Sequence, residues 1–565
     1  MAKIETLKRS VSLCPECLKN ISAEVVWDKE ENKIFMVKTC PEHGDFKDRL
    51  SSNPEDFLWQ QMYTSSLGSD EGNSTQPEDL LKNTKGCPYS CGLCEKHKSA
   101  PCIALIDLTN RCNLRCPVCF ANSAVAGYIY EPTFDEIVQI MEHFRNIKPI
   151  PPILLQLSGG EPTIREDLFD IIRKGVDLGF VNVMLTTNGI KLAKSVDYCK
   201  QLIDAGLNSL YFSFDGIEPE TWKQMRGVDL SKIKMQVLKN CREAGFAAAN
   251  IGIVLVPTIV NGINDHEIGN IIDVAREFSD IVMGIVFQPV SLTGRIAIED
   301  LNKMRYTTSD LKEAVNKHTE GLINKFYPLS LTSKMTRLIA WLEDEPAFSM
   351  TSHQDCGFAT IGVLDDDNNW QPIEKFFDVD GIIKFSNETF DLIQKRKLPK
   401  VSHLIDGMKN PPKLLTTIMQ FTDTMTDLAY REVMKLYYMA GAARFFKGDI
   451  TQIRNNQKTF LNFLKIMWNP NLDSVADFFL SRNIMISSMH FQDAYNFDLE
   501  RIQRCLVHYG VINPEDRSKV LEIPFCAMNT LHRPVLEKAL AVVQETKTVD
   551  QLDNEVSELI QQFAK

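Results

Sequence analysis

Between residues 103 and 295, short apolar runs recur at intervals: IALIDL at 103–108, ILLQL at 153–157, FVNVML at 180–185, SLYFSF at 209–214, NIGIVLV at 250–256 and IVMGIVF at 281–287. Each run is nearly continuous in its apolar character, as expected of a strand buried on both faces. The stretches between them repeat apolar positions at helical spacing. TFDEIVQIMEHFRNI opens with Thr133 and Glu136, a capping box that satisfies free N–H groups at a helix start. IREDLFDIIRKGVDLGF and DHEIGNIIDVAREF have the same period. Six such units in a row predict an α/β fold with a parallel sheet, a partial (βα)6 barrel over 103–295. Beyond 296 the pattern turns helical, as in TSDLKEAVNKHTEGLINKF and KLLTTIMQFTDTMTDLAYREVMKLYYMAGAARFF, with one β-like interruption, GFATIGVLDDDNNWQPIEKFF. A mainly helical C-terminal domain is therefore expected over 296–565. Its Met and Phe stripes either pack a core or line a tunnel for a greasy substrate.

The chain before residue 103 reads differently. Over 1–62, Cys14 and Cys17 in CPEC precede two short strand-like runs, AEVVW and KIFMVK, and then Cys40 and His43 in CPEH. C-x2-C, a hairpin and C-x2-H make a ribbon with four tetrahedral ligands for one zinc or one iron. Residues 63–85 are rich in Ser, Gly, Asn and Asp, the composition of a linker. The stretch 86–102, GCPYSCGLCEKHKSAPC, carries Cys87, Cys91 and Cys94 at C-x3-C-x2-C spacing, with Cys102 as a candidate fourth thiolate. It reads as a closed auxiliary cluster or a second zinc site.

Charge and cysteine usage narrow the function. The chain has 565 residues and a formal net charge of -12, which argues against a general nucleic-acid surface. MAKIETLKRS has no apolar h-region and no run is long enough to span a bilayer, so neither export nor a transmembrane segment is expected. In a reducing cytoplasm, fifteen cysteines read as metal ligands and buried thiols rather than disulfides. Cys199 and Cys241 sit at core-facing helical positions and read as buried thiols. Cys356, Cys505 and Cys526 are far apart in sequence; together they could hold one more cluster, with His508 or an exogenous group as fourth ligand, or be three buried thiols.

The richest stretch follows the first apolar run. Cys112, Cys116 and Cys119 form a second C-x3-C-x2-C, followed by Phe120. Three thiolates can ligate three irons of a cubane and leave the fourth iron open, whereas short Cys runs also build zinc knuckles. Parallel α/β folds bind ligands at the carboxyl ends of their strands. Other strand ends carry Ser158-Gly159-Gly160-Glu161-Pro162-Thr163, Thr186-Thr187-Asn188-Gly189, Ser213-Phe214-Asp215-Gly216 with Arg226 beyond, Pro257-Thr258 and Gln288-Pro289. Polar and glycine residues thus converge on the rim that holds this cysteine loop.

With these residues the chain resembles the radical S-adenosylmethionine (SAM) superfamily over about 103–295. The resemblance implies that Cys112, Cys116 and Cys119 hold a [4Fe–4S] cluster that binds SAM, with Phe120 as the aromatic of the loop. It assigns Gly159, Gly160, Glu161 and Pro162 to the methionine amine of SAM, and Ser213 and Asp215 to its ribose or carboxylate, with Asn188 beside them. The implied reaction is reductive cleavage of SAM to a 5′-deoxyadenosyl radical that attacks unactivated C–H bonds, fed by a low-potential donor such as ferredoxin or flavodoxin. A wider set of segments, CPEC…CPEHG, GCPYSCGLCEKHKSAPC, TNRCNLRCPVCFANS, LVPTIVNGIND, FQPVSLTGR and MHFQDAYNFD…RC…HY…PFC, resembles archaeal tetraether lipid synthases and radical SAM methyltransferases of pterin pathways. That likeness implies one or two auxiliary [4Fe–4S] clusters, a mononuclear Fe or Zn in the ribbon and an apolar or lipid substrate. It implies a cytoplasmic location with peripheral membrane contact. The first expectation is C–C bond formation between lipid tails. The alternatives are methyl transfer to a pterin-like heterocycle and, from another class, a non-catalytic electron carrier.

Overall fold

A computed structural model describes residues 3–63, 85–148, 150–296, 301–344, 349–365, 367–396, 427–447, 483–542 and 562. The expected linker, apart from its end residues, lies outside the described residues, as does much of the Met- and Phe-rich stretch between 397 and 482.

The N-terminal module is an antiparallel sheet of β1 (Ile4–Leu13), β2 (Asn20–Asp28), β3 (Lys33–Cys40) and β4 (Gly44–Ser51), paired in chain order. Cys14 and Cys17 lie between β1 and β2, and Cys40 and His43 between β3 and β4, so two tight turns meet at one end. Helix Pro54–Gln61, N-capped by Asn53, follows. A fully buried Arg305 bonds this module to the body: Nε donates to Asp48 of β4 at 3.0 Å and Nη1 to Asp493 at 2.8 Å.

The body is one sheet. Six strands form where the apolar runs lie: β5 (Ile103–Asp107), β6 (Leu154–Ser158), β7 (Asn182–Thr187), β8 (Ser209–Ser213), β9 (Gly252–Val256) and, after the two-residue β10 (Thr258–Ile259), β11 (Val282–Pro289). Neighbours among the six are parallel. Helices such as Phe134–Asn146, with the Thr133–Glu136 capping box formed, cover them through buried positions including Ile137, Ile140, Met141 and Phe144.

The half expected to be mainly helical adds β12 (Tyr327–Pro328), β13 (Gly357–Leu364), β14 (Trp370–Pro372), β15 (Asn483–Met489), β16 (Val507–Ile512) and β17 (Val520–Pro524) to this sheet. β15 joins β11 in parallel and β16 joins β5 in parallel, so eight parallel strands stand side by side. No ladder joins the two edges among the described residues. β15 and β16 are nevertheless separated only by residues 490–506, and this segment therefore runs from one edge of the sheet to the other. The polar NPEDRSK stretch is the turn between β16 and β17. Among the described residues, no helix is long and apolar enough to cross a membrane.

At the β16–β17 edge, Glu522 is buried between His143, 2.9 Å from Oε1, and His508, 3.4 Å from Oε2. Burial alone would raise its carboxyl, but hydrogen bonds from the two histidines outweigh it and lower the pKa from 4.5 to about 2. A depressed carboxyl stabilises the fold above its unfolded value and loses that contribution as pH falls through its folded value. Glu522→Gln is therefore expected to cost about 3 kcal/mol near neutral pH. In thermal unfolding at a series of pH values, the gap to the unaltered protein should narrow below pH 4.5. A gap independent of pH would contradict this.

Candidate active site

The loop after β5 carries Cys112, Cys116 and Cys119, and the loop after β6 is laid against it backbone to backbone. Gly160 N–H donates to Thr109 O at 2.7 Å and Glu161 N–H to Arg111 O at 2.9 Å. Sequence reasoning gave Gly159 and Gly160 to close approach of a ligand. The structure shows a further constraint: a Cβ on Gly159 would lie 2.3 Å from Thr109 O, and one on Gly160 2.2 Å from Arg111 O. Gly159 also has φ +129°, which disfavours any side chain. On the other side, Arg295 Nε donates to Cys116 O at 2.9 Å, and a Cβ on Gly294 would strike Cys119 O. The cysteine loop is thus clamped between two glycine-bearing segments.

Glu161 is fully buried and faces protein on both oxygens. Oε1 accepts from Thr163 N at 3.1 Å, Thr163 Oγ1 at 2.6 Å and Thr187 Oγ1 at 2.7 Å; Oε2 accepts from Asn188 N at 2.7 Å. Pro162 starts the short turn Pro162–Ile164 that Glu161 caps. Asn188 Nδ2 in turn donates to Asn113 Oδ1 at 2.7 Å, so β6, β7 and the cysteine loop are held as one unit. Glu161→Gln turns an N–H₂ group toward these donors. It is expected to lower stability by about 2–4 kcal/mol and to weaken SAM binding, read by thermal unfolding and equilibrium dialysis. Unchanged values in both would remove Glu161 from its bracing role.

Ser213 and Asp215 at the end of β8 have different fates. Asp215 is fully buried and does not face the cavity, contrary to expectation. Its oxygens accept from Arg226 Nε at 2.6 Å, Arg226 Nη2 at 3.0 Å and Thr258 N at 3.0 Å. Arg226 and Ser213 line the cavity in its place. Lys234 was missed by sequence reasoning. It is buried and donates to Asn188 O at 2.7 Å, Ser213 O at 2.8 Å and Ser213 Oγ at 2.9 Å. Burial first, then the charge of Arg226, lowers its pKa to about 7. Its signal was a lysine in register with Val237, Leu238 and Cys241 on the apolar face of helix Ser231–Ala244.

These elements enclose a cavity of about 360 Å³. Cys112, Cys116, Cys119, Phe120, Ser158, Gly159, Gly160 and Asn188 line its upper part. Burial pushes the Cys112 thiol well up; it also raises that of Cys116, against which the Arg226 charge acts. The donor set fits a thiolate-bound cluster with SAM. Arg226, its charge met by Asp215, lines the wall, and Arg295, also in the lining, has Nη2 buried with no hydrogen-bond partner. Gln156, Thr186, Tyr211, Gln288 and Ser487, from β6, β7, β8, β11 and β15, are polar groups set in a mostly apolar lining that also includes Ile103, Leu105 and Val507. Gln156 Nε2 donates to Thr186 Oγ1 at 2.9 Å and Gln288 Nε2 to Tyr211 OH at 3.0 Å. The glutamine inside ILLQL was the available signal, a polar group interrupting an apolar strand. Met184, Met485, Met489, Phe491 and Phe525 line the walls, with the Phe525 ring 5.9 Å from that of Phe120.

The other cysteines form four groups, with Cys102 apart from them. Cys14, Cys17, Cys40 and His43 converge: His43 Nδ1 is 3.6 Å from Cys14 Sγ and 3.4 Å from Cys40 Sγ, and Cys17 Sγ is 4.0 Å from Cys40 Sγ. Thiolates at about 2.3 Å from one tetrahedral ion lie about 3.8 Å apart, so a single ion fits. The catalytic-loop thiols do not all lie within 4.8 Å of one another, as suits ligands on separate corners of a cubane. Cys87, Cys91 and Cys94 surround a void of about 20 Å³, with the charge of Cys505 also acting on Cys91. Cys102 is not part of that group. Its N–H donates to Leu506 O at 2.8 Å, which ties it to the start of the β5–β16 ladder, and only burial acts on its thiol. Cys356, Cys505 and Cys526 do come together, each acting electrostatically on another, and Cys526 opens onto the central cavity. His508 has both ring nitrogens engaged, Nδ1 near Glu522 and Nε2 with His97 and Cys505 O. Cys199 and Cys241 are buried with their sulfurs 4.0 Å apart, as read from their helical positions.

Comparison with known proteins agrees with this geometry. Residues 106–275 match the Radical SAM superfamily and residues 6–52 the HMPTM N-terminal zinc ribbon domain. The chain belongs to the radical SAM superfamily, and a [4Fe–4S] cluster and SAM are its cofactors. It is 39% identical over 552 residues to the 7,8-dihydro-6-hydroxymethylpterin dimethyltransferase of Methanocaldococcus jannaschii, covering 97% of this chain and 98% of that protein. A probable GTP 3′,8-cyclase of Methanococcus aeolicus is 30% identical over 262 residues, 45% of this chain and 79% of that protein. Among solved structures, anSMEcpe with bound AdoMet aligns at a TM-score of 0.32 and 15% identity, over 61% of this chain and 97% of that one. The expected likeness to tetraether lipid synthases finds no support in these relatives, and neither do a lipid substrate and membrane contact.

Proposed function

We propose that this protein is a radical SAM methyltransferase acting on a small polar heterocycle of the pterin class, bound in the central cavity. Likeness along nearly the whole chain to a pterin dimethyltransferase carries the reading. The carboxamides and hydroxyls of Gln156, Tyr211 and Gln288 support it, because they can match the donor–acceptor edge of such a ring. The methionine and phenylalanine walls suit the faces of a planar ring.

In this reading Cys112, Cys116 and Cys119 hold the catalytic cluster. Bound there with SAM, it supplies one-electron cleavage of the sulfonium and, through it, removal of a hydrogen atom from carbon. The chain's own residues set the geometry. The Gly159–Gly160 backbone fixes the approach to the cysteine loop, and Arg295 balances negative charge. Ser213, positioned by Lys234, and Asn188 offer polar contacts beside SAM. Phe120 and Phe525 keep water from the upper cavity. Gln156, Tyr211 and Gln288 orient the heterocycle. Cys87, Cys91 and Cys94 hold an auxiliary cluster. The ribbon holds zinc, and a low-potential donor supplies the electrons.

Gln288→Leu tests this placement. KM for a dihydropterin should rise about tenfold while 5′-deoxyadenosine formation from SAM alone is kept. An unchanged KM would place the substrate elsewhere.

A further inference from the structure

Lys234 ties the end of β8 to the residue that follows β7. It is 1% exposed, and its Nζ lies 4.8 Å from the ring centre of Phe212 and 4.9 Å from that of Trp222. Three acceptors stand against it: Asn188 O at 2.7 Å, Ser213 O at 2.8 Å and Ser213 Oγ at 2.9 Å. An ammonium has three N–H groups, so the charged form is matched one to one, with the Ser213 hydroxyl oxygen as an acceptor. The O–H of Ser213 is then free to turn, and it has no second partner among the described residues. Ser213 is only half-buried and lines the central cavity, so that proton is available to an acceptor there.

A neutral amine has two N–H groups and one lone pair. The carbonyls of Asn188 and Ser213 can only accept, so they take both N–H groups. The lone pair is left for the Ser213 hydroxyl, which must now donate to it. Loss of one buried proton thus turns Ser213 from a donor toward the cavity into a group that offers the cavity lone pairs alone. Groups from four places set that proton. Burial acts first and Arg226 second, both against the charge; Asp215 after β8, Glu161 after β6 and Cys116 on the cysteine loop favour it. The balance lowers the pKa to about 7, where both forms are populated near neutral pH.

We propose that Lys234 is a positioning residue that sets the polarity of the Ser213 hydroxyl, so that Ser213 donates to an acceptor oxygen of SAM, in its ribose or carboxylate, only while Lys234 is charged. This role rests on the placement of SAM beside Ser213. SAM affinity through this contact is then lost as pH rises, because the charged lysine is the form that frees the serine proton.

Equilibrium dialysis of SAM against the full-length, iron-reconstituted protein and its Ser213→Ala variant, from about pH 6 to about pH 9, tests this. The ratio of the two Kd values cancels the titration of SAM itself and of groups common to both proteins. Ser213→Ala should bind about tenfold more weakly at the acid end, and the ratio should fall close to one at the alkaline end. A ratio above one that is constant or rises with pH would overturn the switch and leave SAM beside Ser213. A ratio of one throughout would remove SAM from Ser213, and the role of Lys234 with it. In a Lys234→Arg background the cation does not titrate, so the ratio should keep its acid-end value across the range. A ratio that still falls there would assign the titration to another group and overturn the role of Lys234.

Discussion

Replacing Cys116 with alanine is expected to remove about four iron atoms per chain and to reduce 5′-deoxyadenosine formation to background. Cys116 sits in the middle of the clamped loop, its carbonyl held by Arg295 and its thiol beside Arg226. With one thiolate gone, two remain on the loop, too few to hold three irons and leave one open. The ribbon is a separate four-ligand group, so its metal should stay. Iron and zinc analysis with electron paramagnetic resonance of the reduced protein checks both halves. Retained SAM cleavage with full iron content would mean that another cysteine group does the chemistry. Cys91→Ala is the matched control: it should cost auxiliary iron and leave the SAM-responsive signal.

Gly160→Ala should reduce SAM turnover by a factor on the order of 10² or more, because misplacement of about 1 Å at a reacting centre costs that much. The added Cβ would meet Arg111 O at 2.2 Å and Asn110 O at 3.0 Å, both backbone atoms of the cysteine loop. Neither can rotate away, so the two loops must part and the hydrogen bonds from Gly160 and Glu161 lengthen. Gly159→Ala adds backbone strain at φ +129° to a 2.3 Å approach to Thr109 O and should be at least as damaging. Iron content and SAM cleavage measured together locate the defect. Full activity in either variant would refute the close packing of the loops.

The six parallel strands were legible because a strand buried on both faces leaves a local signature, and the cysteine loop and Gly-Gly-Glu-Pro segment were legible because each is contiguous. What the sequence concealed is non-local. β15 and β16 are ordinary apolar runs, and nothing in their neighbourhood says that they flank β11 and β5 from 201 and 404 residues away. Cys102 is next to the Cys87–Cys94 run in sequence, yet its N–H is bonded to Leu506 at the start of the sheet ladder. The family resemblance gives Asp215 to the ribose or carboxylate of SAM; its partner Arg226, eleven residues on, claims both oxygens. Lys234 and Gln156 left signals, a charge on an apolar helix face and an amide inside an apolar strand, that read as noise until the cavity gave them a common purpose.

Anaerobic turnover with SAM, a low-potential reductant and the proposed dihydropterin, followed by mass spectrometry, tests the assigned chemistry most directly. The expected product is the pterin heavier by one or two methyl groups; for each methyl one SAM gives 5′-deoxyadenosine and methionine and a second gives the methyl and leaves as S-adenosylhomocysteine. Formation of 5′-deoxyadenosine with the pterin unchanged, while a saturated isoprenoid diether added in its place loses hydrogen and gains a C–C bond, would contradict it.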